Sequence, residues 1–168
     1  MSLQIRPLQS QDIQPIAQAF TELGWNKPAS QYVRYLAEQD AGTRVCLVAL
    51  IDGDFAGYLT VLWTSDYEPF RAAAIPEVSD FNVLPTYRRR RIGTHLMDEA
   101  EAAIAQRSTI AGIGVGMYPD YGAAQRLYVL RGYVPDGRGL TYNGRVLQPM
   151  EQTINDDDLV LYFTKQLA

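Results

Sequence analysis

Residues 83–94, Val-Leu-Pro-Thr-Tyr-Arg-Arg-Arg-Arg-Ile-Gly-Thr, compress an apolar strand end, a turn, four consecutive cations and a helix start into one stretch. The first turn of a helix leaves several backbone N–H groups without intrahelical partners, and the macrodipole adds partial positive charge, so such a junction attracts phosphate. Arg88, Arg89, Arg90 and Arg91 add full charges beside those amides. The run lies between Val83-Leu84-Pro85 and His95-Leu96-Met97-Asp98-Glu99-Ala100, so it is a strand-to-helix connection inside a domain and not a basic tail. A site for a polyanion is expected there.

A second segment, Ala123-Ala124-Gln125-Arg126-Leu127-Tyr128-Val129-Leu130-Arg131-Gly132-Tyr133, reads as a helix and the start of a strand. Leu127, Leu130 and Ala123 or Ala124 share a helical face, and Gly132 is a helix-ending residue. In order and separation the two segments resemble the GCN5-related N-acetyltransferase (GNAT) family. Residues 88–93 are similar to its acyl-coenzyme-A signature, Arg/Gln-x-x-Gly-x-Gly/Ala, and residues 123–133 to its Ala-x-x-Leu-Tyr-x-x-x-Gly-Phe segment. Arg88 and Gly93 match the ends of the first motif, while Arg91 stands at its usual first glycine. Where that position only donates its N–H with φ below zero, which is the reading preferred here, arginine fits without strain and can turn outward or contact a phosphate. With φ above zero it would be strained, and coenzyme affinity would suffer.

The resemblance implies a fold, a co-substrate and a set of residues. The fold is α/β (α+β): a mixed, mostly antiparallel central sheet of six to seven strands flanked by about four helices. The co-substrate is acetyl-coenzyme A, with Arg88 to Arg91, Ile92, Gly93 and Thr94 at its pyrophosphate and the backbone of Phe81, Asn82 and Val83 along its pantetheine arm. Tyr121 and Ala124 fall in the coenzyme half. Tyr121 stands near a position where many members have asparagine, whose role a phenol does not inherit. Tyr128 takes the place of the tyrosine that serves as general acid; outside the motif it would read as a core tyrosine. Glu77 takes the place of a general-base glutamate, and a strand-end acid paired with an arginine is an equal alternative for it. Asp80 or water are the other candidate bases.

At 168 residues and 47% hydrophobic, the chain suits one domain, 1–168. A net charge of -4 argues against nucleic acid as the main partner, since the four arginines form a local site. No long apolar run or leader is evident, and the single Cys46 in Val45-Cys46-Leu47-Val48 reads as a buried thiol, so a cytoplasmic protein without a membrane anchor is expected. His95 is the sole histidine, which excludes histidine triads and multi-histidine metal sites. Asp156-Asp157-Asp158 lacks the alternating spacing of a calcium loop and reads as a solvated turn. No metal is expected.

Periodicity gives a first strand at 3–8, helices at 10–23 and 28–39 and a hairpin of 45–51 and 55–63 about Asp52-Gly53. A strand at 75–84, a helix at 95–106, a strand at 110–117, a helix at 120–131, a hairpin tip at 142–145 and a last strand at 159–163 follow. Strand alternation puts Glu77, Ser79, Phe81 and Val83 on one face and Asp80 and Asn82 on the other. Gly112, Gly114 and Gly116 suggest a bulge or a close approach of backbone to ligand.

In the resembled family the acceptor pocket is built from the first two helices, the loop after the third strand and the C-terminal hairpin. Candidate acceptor residues are Trp25, Tyr32, Trp63, Tyr67, Phe70 and Asp80, with Tyr35, Asp66, Glu68, Arg71 and Tyr142 nearby. Aromatic walls with acids suit a small cationic amine; an aromatic rim packed on its own loops, or on a second subunit as a homodimer, is the plainer alternative. The expected function is acetyl transfer to a primary amine of a small molecule by direct transfer in a ternary complex. A protein or peptide acceptor, which would need an open groove beside Tyr67 and Phe70, and a non-catalytic acyl-coenzyme-A sensor are the alternatives.

Overall fold

Near-continuous apolar runs give the long strands and 3.6-residue stripes give the helices, in a computed structural model that describes residues 2–168. In chain order the elements are β1 (Leu3–Pro7), α1 (Ile13–Glu22), α2 (Ala29–Asp40), β2 (Arg44–Ile51), β3 (Asp54–Leu62), α3 (Glu68–Ala72), β4 (Glu77–Val83), α4 (Ile92–Ala105), β5 (Ile110–Gly116), α5 (Gly122–Leu130), β6 (Val134–Tyr142), β7 (Arg145–Val146) and β8 (Leu159–Gln166). The strands form one mixed sheet in the order β1-β2-β3-β4-β5-β8-β6-β7. The β4–β5 pair is parallel, and β1–β2, β2–β3, β5–β8, β6–β8 and β6–β7 are antiparallel. The expected class is therefore the observed one, with eight strands and five α-helices among the described residues. The excess over expectation is a two-residue strand, Arg145–Val146, and a one-turn helix, Glu68–Ala72, both too short for a periodic signal.

The chain divides into two compact units. The first comprises the residues up to Leu62 with Asp80–Ala100. Asp52 and Gly53 make the β2–β3 hairpin turn with φ 51° and 95°, as Asp-Gly predicts. Helix α1 buries Ile13, Ile16, Ala17 and Phe20. Its start is held by Asp12, which takes two hydrogen bonds from Arg6 at 2.6 and 2.8 Å and one from the Gln9 N–H at 2.8 Å. Asp12 thus closes a capping box with Gln9. Helix α2 turns Tyr32 and Tyr35 inward, while Val33 is 55% exposed. Gly57 on β3 permits close contact with β4: a Cβ there would lie 2.6 Å from the Asn82 carbonyl oxygen.

The second unit comprises Trp63–Ser79 and Glu101–Ala168. Its β5 is fully paired with β8, from Ile110 opposite Gln166 to Gly116 opposite Val160. The parallel register of β4 on β5 is two residue pairs long, Glu77 opposite Gly112 and Val78 opposite Ile113. Aromatic rings fill the space beside two of the β5 glycines: a Cβ would lie 2.3 Å from the Phe70 ring at Gly112 and 2.3 Å from the Tyr121 ring at Gly116. Among the described residues no helix is long and apolar enough to cross a membrane.

Candidate active site

In the first unit, β4 ends at Val83, a single 3-10 turn spans Pro85–Tyr87, and the arginine run leads into α4 at Ile92. Arg88 is extended, with φ -63° and ψ 159°. Arg89 and Arg91 have φ 63° and 61°. The φ above zero at Arg91 overturns the expectation of an unstrained position. It also has a use, because φ values that alternate in sign turn successive N–H groups toward one side and make a concavity for an anion. The Arg91 carbonyl accepts from the His95 N–H at 3.0 Å, so the helix begins there, three residues earlier than expected. All four guanidinium groups are exposed. Arg88 Nε donates to the Val83 carbonyl at 3.2 Å, tying the loop to its strand, and Arg90 lies 5.5 Å from the Tyr87 ring centroid. Gly93 is close-packed, since a Cβ would lie 3.1 Å from the Phe81 ring. A helix start, alternating φ and four exposed cations fit a diphosphate.

Asp80, next to Phe81–Val83 on β4, has φ 49°, a left-handed conformation that aspartate tolerates better than most residues. A residue of that kind interrupts strand alternation, so the parity that grouped Glu77 with Phe81 and Val83 does not carry across it. The Asp80 carboxylate accepts from Lys27 Nζ at 2.7 Å and Asn82 Nδ2 at 2.9 Å on one oxygen, and from Tyr58 at 2.5 Å, Tyr35 at 2.8 Å and Gln31 at 2.8 Å on the other. Desolvation alone would raise its pKa, but the Lys27 charge and these hydrogen bonds outweigh it and hold the carboxyl below the usual range. Asp80 is therefore a fixed anion and a poor proton acceptor near neutrality. Tyr32 and Tyr58 are fully buried beside it, their hydroxyls 3.4 Å apart. Trp25 stacks on Phe20 with centroids 5.7 Å apart and is partly exposed.

In the second unit, Glu77 is half-buried and accepts a hydrogen bond from the Ser65 hydroxyl, whose oxygen accepts from the Tyr67 N–H at 3.0 Å. Tyr67 and Phe70 are buried; Tyr67 stacks on Tyr162 at 3.7 Å and donates to Asp136 at 2.9 Å. Trp63 is half-buried beneath Arg107, 4.1 Å from the ring centroid. Tyr128, on α5, is buried, and burial pushes its phenol well above the ordinary value, so it stays protonated. Ala124 lies half-buried one turn earlier on α5. Tyr121 packs against Gly116 and donates to Asp157 at 2.7 Å. Asp157 also accepts from Tyr118, and Asp156 from Tyr142 at 3.0 Å, so these two acids of the expected turn anchor phenols.

Sequence reasoning missed Lys27 and Tyr58 and left Tyr35 at the margin, although they surround the candidate Asp80. One signal was readable: Lys27 and Lys165 are the two lysines among 15 cationic residues, so a lysine here is a choice against the chain's habit.

A search of curated proteins finds no match. Among solved structures, the chain is similar to an N-acetyltransferase from Staphylococcus aureus Mu50 (12% identity, TM-score 0.75, 100% of each chain covered). It is similar to the ribosomal-protein-alanine N-acetyltransferase from Brucella melitensis (19% identity, TM-score 0.72, 98% of this chain and 99% of that one). It also resembles yncA from Salmonella typhimurium, determined with its cofactor acetyl-CoA (16% identity, TM-score 0.72, 100% and 95% covered). At these identities the likeness shows a shared fold. The profile of the acetyltransferase (GNAT) family matches residues 10–133, from the start of the first helix through α5 to Tyr133, and on that match the chain belongs to the GNAT acetyltransferase family.

Proposed function

We propose that the protein is an acetyl-coenzyme-A-dependent N-acetyltransferase that moves an acetyl group to a primary amine of a small molecule by direct transfer in a ternary complex. The observation that carries this reading is the loop before α4, where alternating φ signs and four exposed arginines build a diphosphate cradle at a helix start. The yncA structure with acetyl-CoA supports the same donor. When bound, the coenzyme supplies an activated acetyl thioester. Arg89, Arg90, Arg91 and the amides of Ile92, Gly93 and Thr94 hold its phosphates, Arg88 braces the loop through Val83, and the backbone of Phe81, Asn82 and Val83 lines its extended arm. Tyr128 keeps a proton available for a leaving thiolate, and Glu77 takes the proton of the amine. Tyr121 is assigned a packing role beside the coenzyme half.

Two observations favour a small acceptor and a direct transfer. Tyr67 and Phe70 are buried against Tyr162 and line no open groove of the kind a peptide would need. The one cysteine, Cys46, is buried and its thiol is pushed up to about 12 by burial, which removes it as an acyl-carrying nucleophile. That buried free thiol also suits a cytoplasmic enzyme. Trp25 and Trp63 keep exposed surface for an acceptor, whereas Tyr32 contributes from within the core. Isothermal titration with acetyl-coenzyme A, followed by a thiol-release screen over polyamines, aminoglycosides, amino acids and short peptides, tests the reading. Binding with turnover on a small amine is expected. Turnover on peptides alone would transfer the assignment to a protein acceptor, binding without any turnover would favour the sensor, and absence of binding would remove the donor.

A further inference from the structure

The ammonium of Lys27 sits in a box made for a cation. It lies 2.7 Å from Asp80 Oδ1, 3.1 Å from the Tyr58 hydroxyl, and 5.7 Å from the ring centroids of both Phe20 and Tyr58. Carboxylate, hydroxyl and aromatic faces together are the chemistry that recognises a primary ammonium. The box is rigid by construction, because Asp80 is fixed by Tyr35, Tyr58, Gln31 and Asn82 as well. Its occupant is not: Lys27 belongs to the connection between α1 and α2, and rotation of its side chain alone empties the box without breaking a strand or helix hydrogen bond.

We infer that the Asp80–Tyr58–Phe20 box is a seat for a ligand's primary ammonium, and that Lys27 is an internal competitor that fills it in the free protein. A lysine suits this role where an arginine would not, since its compact point charge has the shape of an alkylammonium head. A ligand must displace Lys27 to bind, so Lys27 sets both the affinity and the minimum strength of an acceptable amine. The inference deepens the proposed amine transfer and rests on it for biological meaning, but its test needs neither coenzyme nor turnover, so the two can fail separately.

Replacing Lys27 by alanine removes a propylammonium-shaped fragment. NMR-detected titration of the full chain with propylammonium chloride at constant ionic strength is the direct measurement, with 1-propanol as the uncharged control. Lys27→Ala is expected to bind propylammonium at least tenfold more tightly than the wild type, and Lys27→Ala/Asp80→Asn to lose the gain. Equal affinity in wild type and Lys27→Ala, or retention of the gain without Asp80, would overturn the inference. If the alanine variant is too unstable to titrate, its thermal midpoint serves: a saturable rise with propylammonium beyond that in 1-propanol or sodium chloride supports the seat, and no such rise overturns it.

Discussion

At Arg91 an L-residue occupies φ 61°, where its Cβ crowds the neighbouring carbonyl at a cost of about 1 kcal/mol that glycine does not bear. The arginine persists at a strained position whose guanidinium is exposed beside three others, which is the pattern of strain retained for binding. Arg91→Gly and Arg91→Ala remove the same charge, but only glycine relieves the backbone. In urea titration the glycine variant should be more stable than the alanine variant by about 1 kcal/mol, and both should bind coenzyme A more weakly than the wild type. Equal stability of the two would mean that the loop relaxes around any residue. Tyr128 poses a different question, since burial holds its phenol protonated. Tyr128→Phe keeps the ring and loses the proton, so kcat should fall by about 10²-fold or more while coenzyme affinity in calorimetry stays nearly constant. A kcat within a factor of two of wild type would take Tyr128 out of the chemistry.

Strand β5 shows how an element can be built around its partners. Gly112 receives the edge of Phe70 from α3 at a distance that leaves no room for a methyl group. Phe70 is itself locked edge-on against Tyr67 and Tyr162, so it cannot swing away. Gly112→Ala should therefore destabilise the protein by about 1–3 kcal/mol, and Phe70→Leu should recover part of that loss in a double-mutant cycle; additive losses would show that the two do not meet. The same strand marks a limit of reading from sequence. Three alternating glycines announce a close approach, but the chain alone does not say whether a ligand or an aromatic ring approaches, because Phe70, which meets Gly112, comes from α3, far from β5 in sequence. The hairpin at Asp52-Gly53 was legible as a local conformation written in adjacent residues, and so was the place of the arginine loop, though the sign of φ at Arg91 was not. The left-handed backbone at Asp80 was not legible, as Ser79-Asp80-Phe81 contains no glycine and the carboxylate is held by Lys27, Tyr35 and Tyr58 from other elements.

Across the whole molecule, each compact unit uses a partly buried carboxylate held by a cationic partner. Asp80 in the first is paired with Lys27, and Glu101 in the second accepts from Arg131 at 2.9 Å through both Nε and Nη2 and from Lys165 at 2.7 Å. Desolvation opposes ionisation at both, yet the hydrogen bonds and charges of the partners prevail and both pKa values are lowered. For groups lowered in the folded state, the unfolded chain binds more protons as pH drops, so their stabilisation is complete above the ordinary carboxylate range near about 4 and is lost as pH falls through the folded values. Asp80→Asn or Glu101→Gln should each cost about 3 kcal/mol at pH 7 by stranding a partly buried cation. Their deficits relative to wild type should shrink steadily below about pH 4, where the wild-type carboxyls also become neutral. Urea denaturation at pH 7, 5 and 3 measures this directly. A deficit that stays constant down to pH 3 would mean that shape rather than charge holds these two sites together, and the box around Lys27 would then lose its claim to be built for a cation.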